Sequence, residues 1–211
     1  MRGFTLIEVL VSVAIFSFVM VIALGSLLAI STSDRKAESL KAVINNLSFS
    51  LDSMSRSVRT GYDWGCNTVA GTDCASPGAN EIVFTSSGNV VTYYKLESLL
   101  SDPTNAAAVC NQTAPHVGCV VTSTDGITWY PITAPEVVIS DFSGNTPASY
   151  MFYLVGSAPG PDTTQPKLVI TLTGYVSVSG GVSSQIQCGT LGNQCTIFRL
   201  QTTATQRVYD Q

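Results

Sequence analysis

Residues 3–12 read Gly3-Phe4-Thr5-Leu6-Ile7-Glu8-Val9-Leu10-Val11-Ser12, opening an apolar stretch over residues 4–30 that a single charge, Glu8, interrupts. From residue 9 to residue 33 there is no charged side chain at all. A helix over this stretch is about 40 Å long at 1.5 Å per residue, enough to cross a hydrocarbon core of about 30 Å. A cleaved secretory signal fits poorly. Its charged region would be Arg2 alone, its apolar run far exceeds the usual ~7–15 residues, and no A-x-A-like site follows. A plain membrane anchor fits the length but leaves Glu8 unexplained. A carboxylate inside a lipid-soluble helix is costly unless it finds a partner, so it reads as functional by default. The plainer alternative is that, so near the helix end, Glu8 snorkels to the interface and sits favourably at the helix N-terminus.

The run from Gly3 to Ser12 resembles the class III signal of type IV prepilins and type II secretion pseudopilins. That signal has a Gly before the cut, an aromatic first mature residue, a small apolar core and a Glu at the fifth mature position. The resemblance is contiguous over the N-terminal segment; the remainder resembles the family only in general layout. It implies that a prepilin peptidase cuts between Gly3 and Phe4 and N-methylates Phe4. Glycine suits position 3 because a side chain there would obstruct approach to the backbone. The resemblance also gives Glu8 an assembly role, as the partner of the Phe4 amine of a neighbouring subunit. Breaking such a buried pair costs about 3–5 kcal/mol. In two respects the chain departs from the family: the leader holds one Arg where leaders usually carry more Lys/Arg, and the span has Gly25 but none of the kinking Pro seen in many major pilins. Asp34, Arg35 and Lys36 follow the span, so positive-inside bias barely orients it, and an N-inside topology rests on the resemblance.

Beyond the span, Leu40, Ile44, Leu47, Leu51, Met54 and Val58 recur at helical spacing, with Lys41, Asp52 and Arg56 off the stripe. The pattern predicts one helix from about Phe4 to about Val58, ending before Gly61, about 80 Å long. A short coiled coil is the competing reading of the stripe. After Gly61 the pattern changes to short β-rich runs punctuated by Gly, Pro, Asn and Asp. Strands are expected at 81–86, 90–95, 119–124, 136–140, 150–155, 167–178 and 195–203. Ser87-Gly88-Asn89 and Asp125-Gly126 read as hairpin turns. Segments 61–80, 101–118 and 156–166 read as loops, the last with a Pro/Gly-rich stretch at 158–161. The expected organisation is a leader peptide at 1–3, a transmembrane and assembly helix at 4–30, an amphipathic helix continuation at 31–60 and a β-rich globular domain at 61–211. This is an α+β fold: a long N-terminal helix, hydrophobic in its first half, packed on a C-terminal, mainly antiparallel β-domain, pilin-like in layout.

Six cysteines, Cys66, Cys74, Cys110, Cys119, Cys188 and Cys195, suit a disulfide framework in an oxidising compartment. Six allow 15 pairings, but the positions fall into three short-range pairs, 66–74, 110–119 and 188–195. Free thiols and a metal site are the alternatives; the CxxC spacing of a zinc or thioredoxin-like site is absent.

The net charge is −4 and only 11% of residues are charged, against about 25% in typical soluble domains. The acidic balance makes nucleic acid an unlikely partner, because phosphate binding needs clustered Lys/Arg. Arg56, Arg59, Arg199 and Arg207 could form a weak basic patch, but scattered solvated charges is the simpler reading. An enzyme is poorly supported. The chain has no GxSxG, P-loop, GxGxxG or HExxH motif. The single histidine, His116, lies near cysteines that have an obvious disulfide partner. Asp125, Asp141 and Asp162 lack EF-hand-like spacing for calcium. Trp64, Trp129, Tyr93, Tyr94, Tyr150 and Tyr153 read as core and strand residues ahead of a ligand platform. No cofactor and no metal are expected.

The resemblance then implies a structural subunit, a minor pilin or pseudopilin, closest in composition to the J class of type II secretion minor pseudopilins. Retention of Glu8 argues against the K-like tip class. Implied partners are other pilin or pseudopilin subunits, the prepilin peptidase, an inner-membrane assembly platform and membrane lipid. The implied location is the bacterial cytoplasmic membrane, single-pass, then a periplasmic or cell-surface filament. The alternatives are an adhesive or ligand/DNA-binding pilin acting through β-domain loops, and an enzyme or binding domain merely anchored by the helix.

Overall fold

The computed structural model describes residues 5–99, 101–112, 117–139, 150–156, 165–177 and 195–207. The chain divides into two compact units, Met1–Lys41 and Ala42–Gln211. Helix α1 (Leu6–Thr60) supplies the first unit and the opening of the second. In the first unit it is long and apolar enough over Leu6–Ser31 to cross a membrane, and none of that stretch is buried.

In the second unit, α1 buries Val43, Leu47, Ser50, Leu51, Met54 and Val58. Here the expected stripe needs correction at its start: Ile44 is 44% exposed and Val43 is buried in its place, while Leu40 is half-buried. At about 100° per residue, Val43 lies about 40° from the axis through Leu47 and Ile44 about 60°, so Val43 sits nearer the middle of the buried face. Two side chains fasten the helix laterally: Ser50 Oγ donates to Ile132 O (2.8 Å) and Asn46 Oδ1 accepts from Ala134 N (3.0 Å). The helix stops at Gly61, where a Cβ would strike the Phe84 ring and the Thr85 carbonyl. Two of its last carbonyls find donors in Gly61 N (to Val58 O) and Arg207 N (to Arg59 O, 3.0 Å), and Trp64 Nε1 donates to the carbonyl of Gly61 just beyond it.

A six-stranded antiparallel sheet follows in the order β2-β1-β3-β4-β5-β6, built from β1 (Tyr62–Cys66), β2 (Val69–Ala70), β3 (Glu81–Thr85), β4 (Val91–Ser98), β5 (Gly118–Ser123) and β6 (Tyr130–Pro131). The second sheet holds β7 (Val137–Ile139), β8 (Phe152–Val155), β9 (Lys167–Ser177) and β10 (Cys195–Thr205). There β10 pairs with β9 along its whole length, while β7 and β8 both pair with β9 as well. Together with the apolar helix this is an α+β, pilin-like arrangement. The predicted strand positions at 81–86, 90–95, 119–124, 136–140 and 150–155 coincide with observed strands to within a few residues. Residues 140, 157–164 and 178, parts of predicted elements or loops, lie outside the described residues.

Two stretches read as loops carry structure instead. The 61–80 stretch contains the β1–β2 hairpin, whose two connecting residues, Asn67 and Thr68, both have positive φ (52° and 69°). That is the backbone of a tight primed turn, but the sequence signal for one is Asn-Gly, and Asn-Thr hides it. The 101–118 stretch contains the short helix α2 (Ala106–Val109) and the first residue of β5.

Alternation along the sheet strands divides the core. Ile82, Phe84, Tyr94 and Val120 face α1 and join the main cluster with Val137, Phe152, Leu168, Ile170 and Leu172. On the other face of β4 and β5, a second, smaller cluster of Ala106, Cys110, Val117, Cys119 and Val121 gathers beneath α2, with Leu99 and Trp129 packed around it. Gly118 is required where this edge meets β7, since a Cβ there would collide with the Ile139 carbonyl.

Candidate functional site

The sequence places the chemistry at Gly3, Phe4 and Glu8. Gly3 and Phe4 lie outside the described residues. Glu8 stands in the first turn of α1, fully in the open, with its own N–H bonded to Thr5 O at 3.1 Å. The ion pairs among the described residues are Arg56–Asp52 and Lys95–Glu97, and neither involves Glu8. Around and beyond it, Leu6, Ile7, Leu10, Phe16, Phe18, Val21, Leu24 and Leu28 are each at least 59% exposed. Ser12 Oγ returns its hydrogen bond to Val9 O (2.9 Å), so this hydroxyl is satisfied within the helix. Gly25 has open space around it, and the helix runs through it without a break. The geometry is therefore a bare apolar rod whose only charge within the span is a carboxylate one turn from its start. So exposed an apolar rod is stable only against lipid or another apolar surface.

The β-domain supplies no comparable constellation among the described residues. No group of three or more His, Cys, Asp or Glu comes together there. Asp125 is committed to its own turn, accepting from Ile127 N, Thr128 N, Ser123 Oγ and Thr128 Oγ1. These bonds, led by the Thr128 and Ile127 amides, hold its carboxyl well below the usual carboxylate range. Asp141, Asp162 and His116 lie outside the described residues. Of the arginines considered as a patch, Arg56 pairs with Asp52 and only Arg59 and Arg207 are tied together, through the backbone. Trp64 is core, and Trp129 is half-buried with Lys95 Nζ over its ring at 5.1 Å and Tyr93 against its edge. Cys66 is bonded to Cys74 and Cys110 to Cys119; Cys188, and with it the 188–195 pairing, lies outside the described residues. Sequence reasoning missed one charged feature. Glu97 is 3% exposed, ion-paired to Lys95 at 2.9 Å and accepting from Ser101 Oγ at 2.8 Å. Beside it, burial pushes the Glu81 carboxyl up, opposed by Lys95 and reinforced by Glu97. Lys95 and Glu97 stand two apart in one strand, and that spacing was the available signal.

Comparison with known proteins supports the reading of the N-terminus. Residues 1–24 match the family model described as the prokaryotic N-terminal methylation motif. This supports a type IV prepilin-like protein, a precursor of the kind processed by a prepilin peptidase, and indicates a structural protein. With the apolar helix it points to a membrane-anchored subunit, later exposed on a filament, assembling with other pilin subunits. No characterised protein and no solved structure matched the chain.

Proposed function

We propose that the chain is a minor pilin or pseudopilin of a membrane-rooted type IV pilus or type II secretion-like filament, cut after Gly3 and N-methylated on Phe4. The observation that carries this reading is the 26-residue apolar helix over Leu6–Ser31, none of it buried, with Glu8 in its first turn. So large an apolar surface is stable only in lipid or against other helices. Before assembly the membrane covers it. In the filament, neighbouring helices replace the lipid, and each Glu8 meets the N-terminal amine that the cut creates on another subunit. The amine is absent from an uncut chain, so the peptidase licenses assembly. The β-rich second unit would coat the outside of the bundle, and this pairing of signal and body favours the J class of minor pseudopilins.

The test is the mature N-terminus. Chain recovered from membranes and analysed by mass spectrometry is expected to begin at N-methylated Phe4, and Gly3→Val is expected to leave the leader on. A wild-type chain still beginning at Met1 overturns the proposal in favour of a simple anchor.

A further inference from the structure

We infer that residues 101–112 form a strap that opens independently of the rest of the β-domain and is latched shut by the Cys110–Cys119 disulfide, making this face of the sheet redox-sensitive. The strap lies in the sequence between β4 and β5. Among the described residues its backbone hydrogen bonds close locally, between residues 98 and 112, and side chains tie it to the sheet. At one end Ser101 Oγ donates to Glu97 Oε1 at 2.8 Å. At the other, Gln112 Nε2 donates to Val137 O (2.7 Å) and Pro135 O (3.2 Å), while its Oε1 accepts from Gly118 N (2.7 Å). Between them sit the buried Ala106 and the disulfide to Cys119. A four-residue helix such as α2 has no stability of its own in water.

The two disulfides differ in what they hold. Cys66 and Cys74 belong to the main cluster, with α1. Cys110 and Cys119 belong to the small separate cluster under the strap. Losing the second bond therefore releases a satellite and leaves the main core in place, the pattern of a local opening unit. Opening uncovers Val121, Cys119, the Trp129 ring and the Lys95–Glu97 pair. Closure needs a disulfide-bearing oxidant. The two thiols give up two electrons and two protons, the Cys110–Cys119 bond forms, and the oxidant's S–S bond breaks into two thiols; a dithiol runs the exchange in reverse. Both sulfurs belong to residues 1% exposed. A reductant thus reaches the bond only in an already open strap, so oxidation sets the latch and the closed form protects it.

The full chain in detergent serves for the test, comparing a Cys110→Ser/Cys119→Ser chain with a Cys66→Ser/Cys74→Ser chain. The first is expected to be cut by protease within residues 101–112 alone. It should also show a red-shifted emission that disappears when Trp129→Phe is added, and keep a cooperative thermal transition. The second is expected to lower that transition and to be cut elsewhere. Cleavage throughout the first chain, or no cleavage within 101–112 and no red shift, overturns the inference. Hydrogen exchange gives a second answer: in the Cys110→Ser/Cys119→Ser chain the amides of 101–112 should exchange as a group about tenfold or more faster than in the oxidised wild type, with those of β4 and β5 unchanged. Equal rates for 101–112 in the two chains sink the proposal.

Discussion

Within one continuous helix, the two ends treat apolar side chains in opposite ways. Over Leu6–Ser31 they are all on show, and in the second unit Leu47, Met54 and Val58 are wholly enclosed. The first stretch has an apolar surface on every side, the signature of a helix solvated by lipid or by other helices. The second has a stripe and a polar back, the signature of a helix that packs on its own domain. The difference separates what the subunit contributes to others from what it needs to fold, and substitutions should fall cleanly on one side or the other.

The largest expected effect belongs to the exposed half. Glu8→Leu should be cut and methylated as wild type yet be lost from sheared filaments, because about 3–5 kcal/mol of pairing is missing for each subunit. Normal incorporation would refute the assembly role. Next, Met54→Ala should destabilise the β-domain by about 2–5 kcal/mol through the cavity it leaves, whereas Leu24→Ala should leave its denaturation within about 0.5 kcal/mol of wild type. Similar losses from both would erase the distinction. Smaller and of opposite sign, Thr68→Gly should stabilise the domain by about 0.5–1 kcal/mol, since a β-branched residue at φ 69° is relieved of left-handed strain. A drop in the denaturation midpoint would count against that strain.

The smallest effect is on pH dependence. The Asn105 amide, followed by the Thr104 hydroxyl, holds the Asp102 carboxyl down at about 2, and Asp125 is depressed as well. Depressed carboxyls contribute stability that is complete above the ordinary value of about 3.9 and is lost as pH falls through the folded value. The melting temperature should therefore decline between about pH 4 and pH 2, and Asp102→Asn with Asp125→Asn should flatten the decline. Both groups are exposed, so the slope is shallow, and an unchanged slope in the double variant would rule them out as its source.

The legibility of the molecule follows the same division. The apolar span could be read directly, because so long a run with a single charge admits few explanations. The strands of the sheet were readable where a short β-branched and aromatic run stands between polar residues, as at Glu81–Thr85. The β1–β2 hairpin was not, because Asn67-Thr68 adopts a turn that sequence normally announces with glycine. The strap over β4 and β5 was hidden too: four residues of α2 carry no period, and its cluster is small and mixes a short helix with one strand. At the start of the amphipathic stripe, Val43 and Ile44 are chemically alike, and only tertiary geometry chose between them.

Among the described residues, the six-stranded sheet ends at either side on a strand of two residues, β2 and β6. A neighbouring strand finds almost no backbone to pair with there. In a polymer, where copies of a domain stand shoulder to shoulder at fixed spacing, an open flank would invite fusion into one continuous sheet. Blunted flanks keep neighbouring domains discrete, and crowding then leaves the order of subunits to their helices.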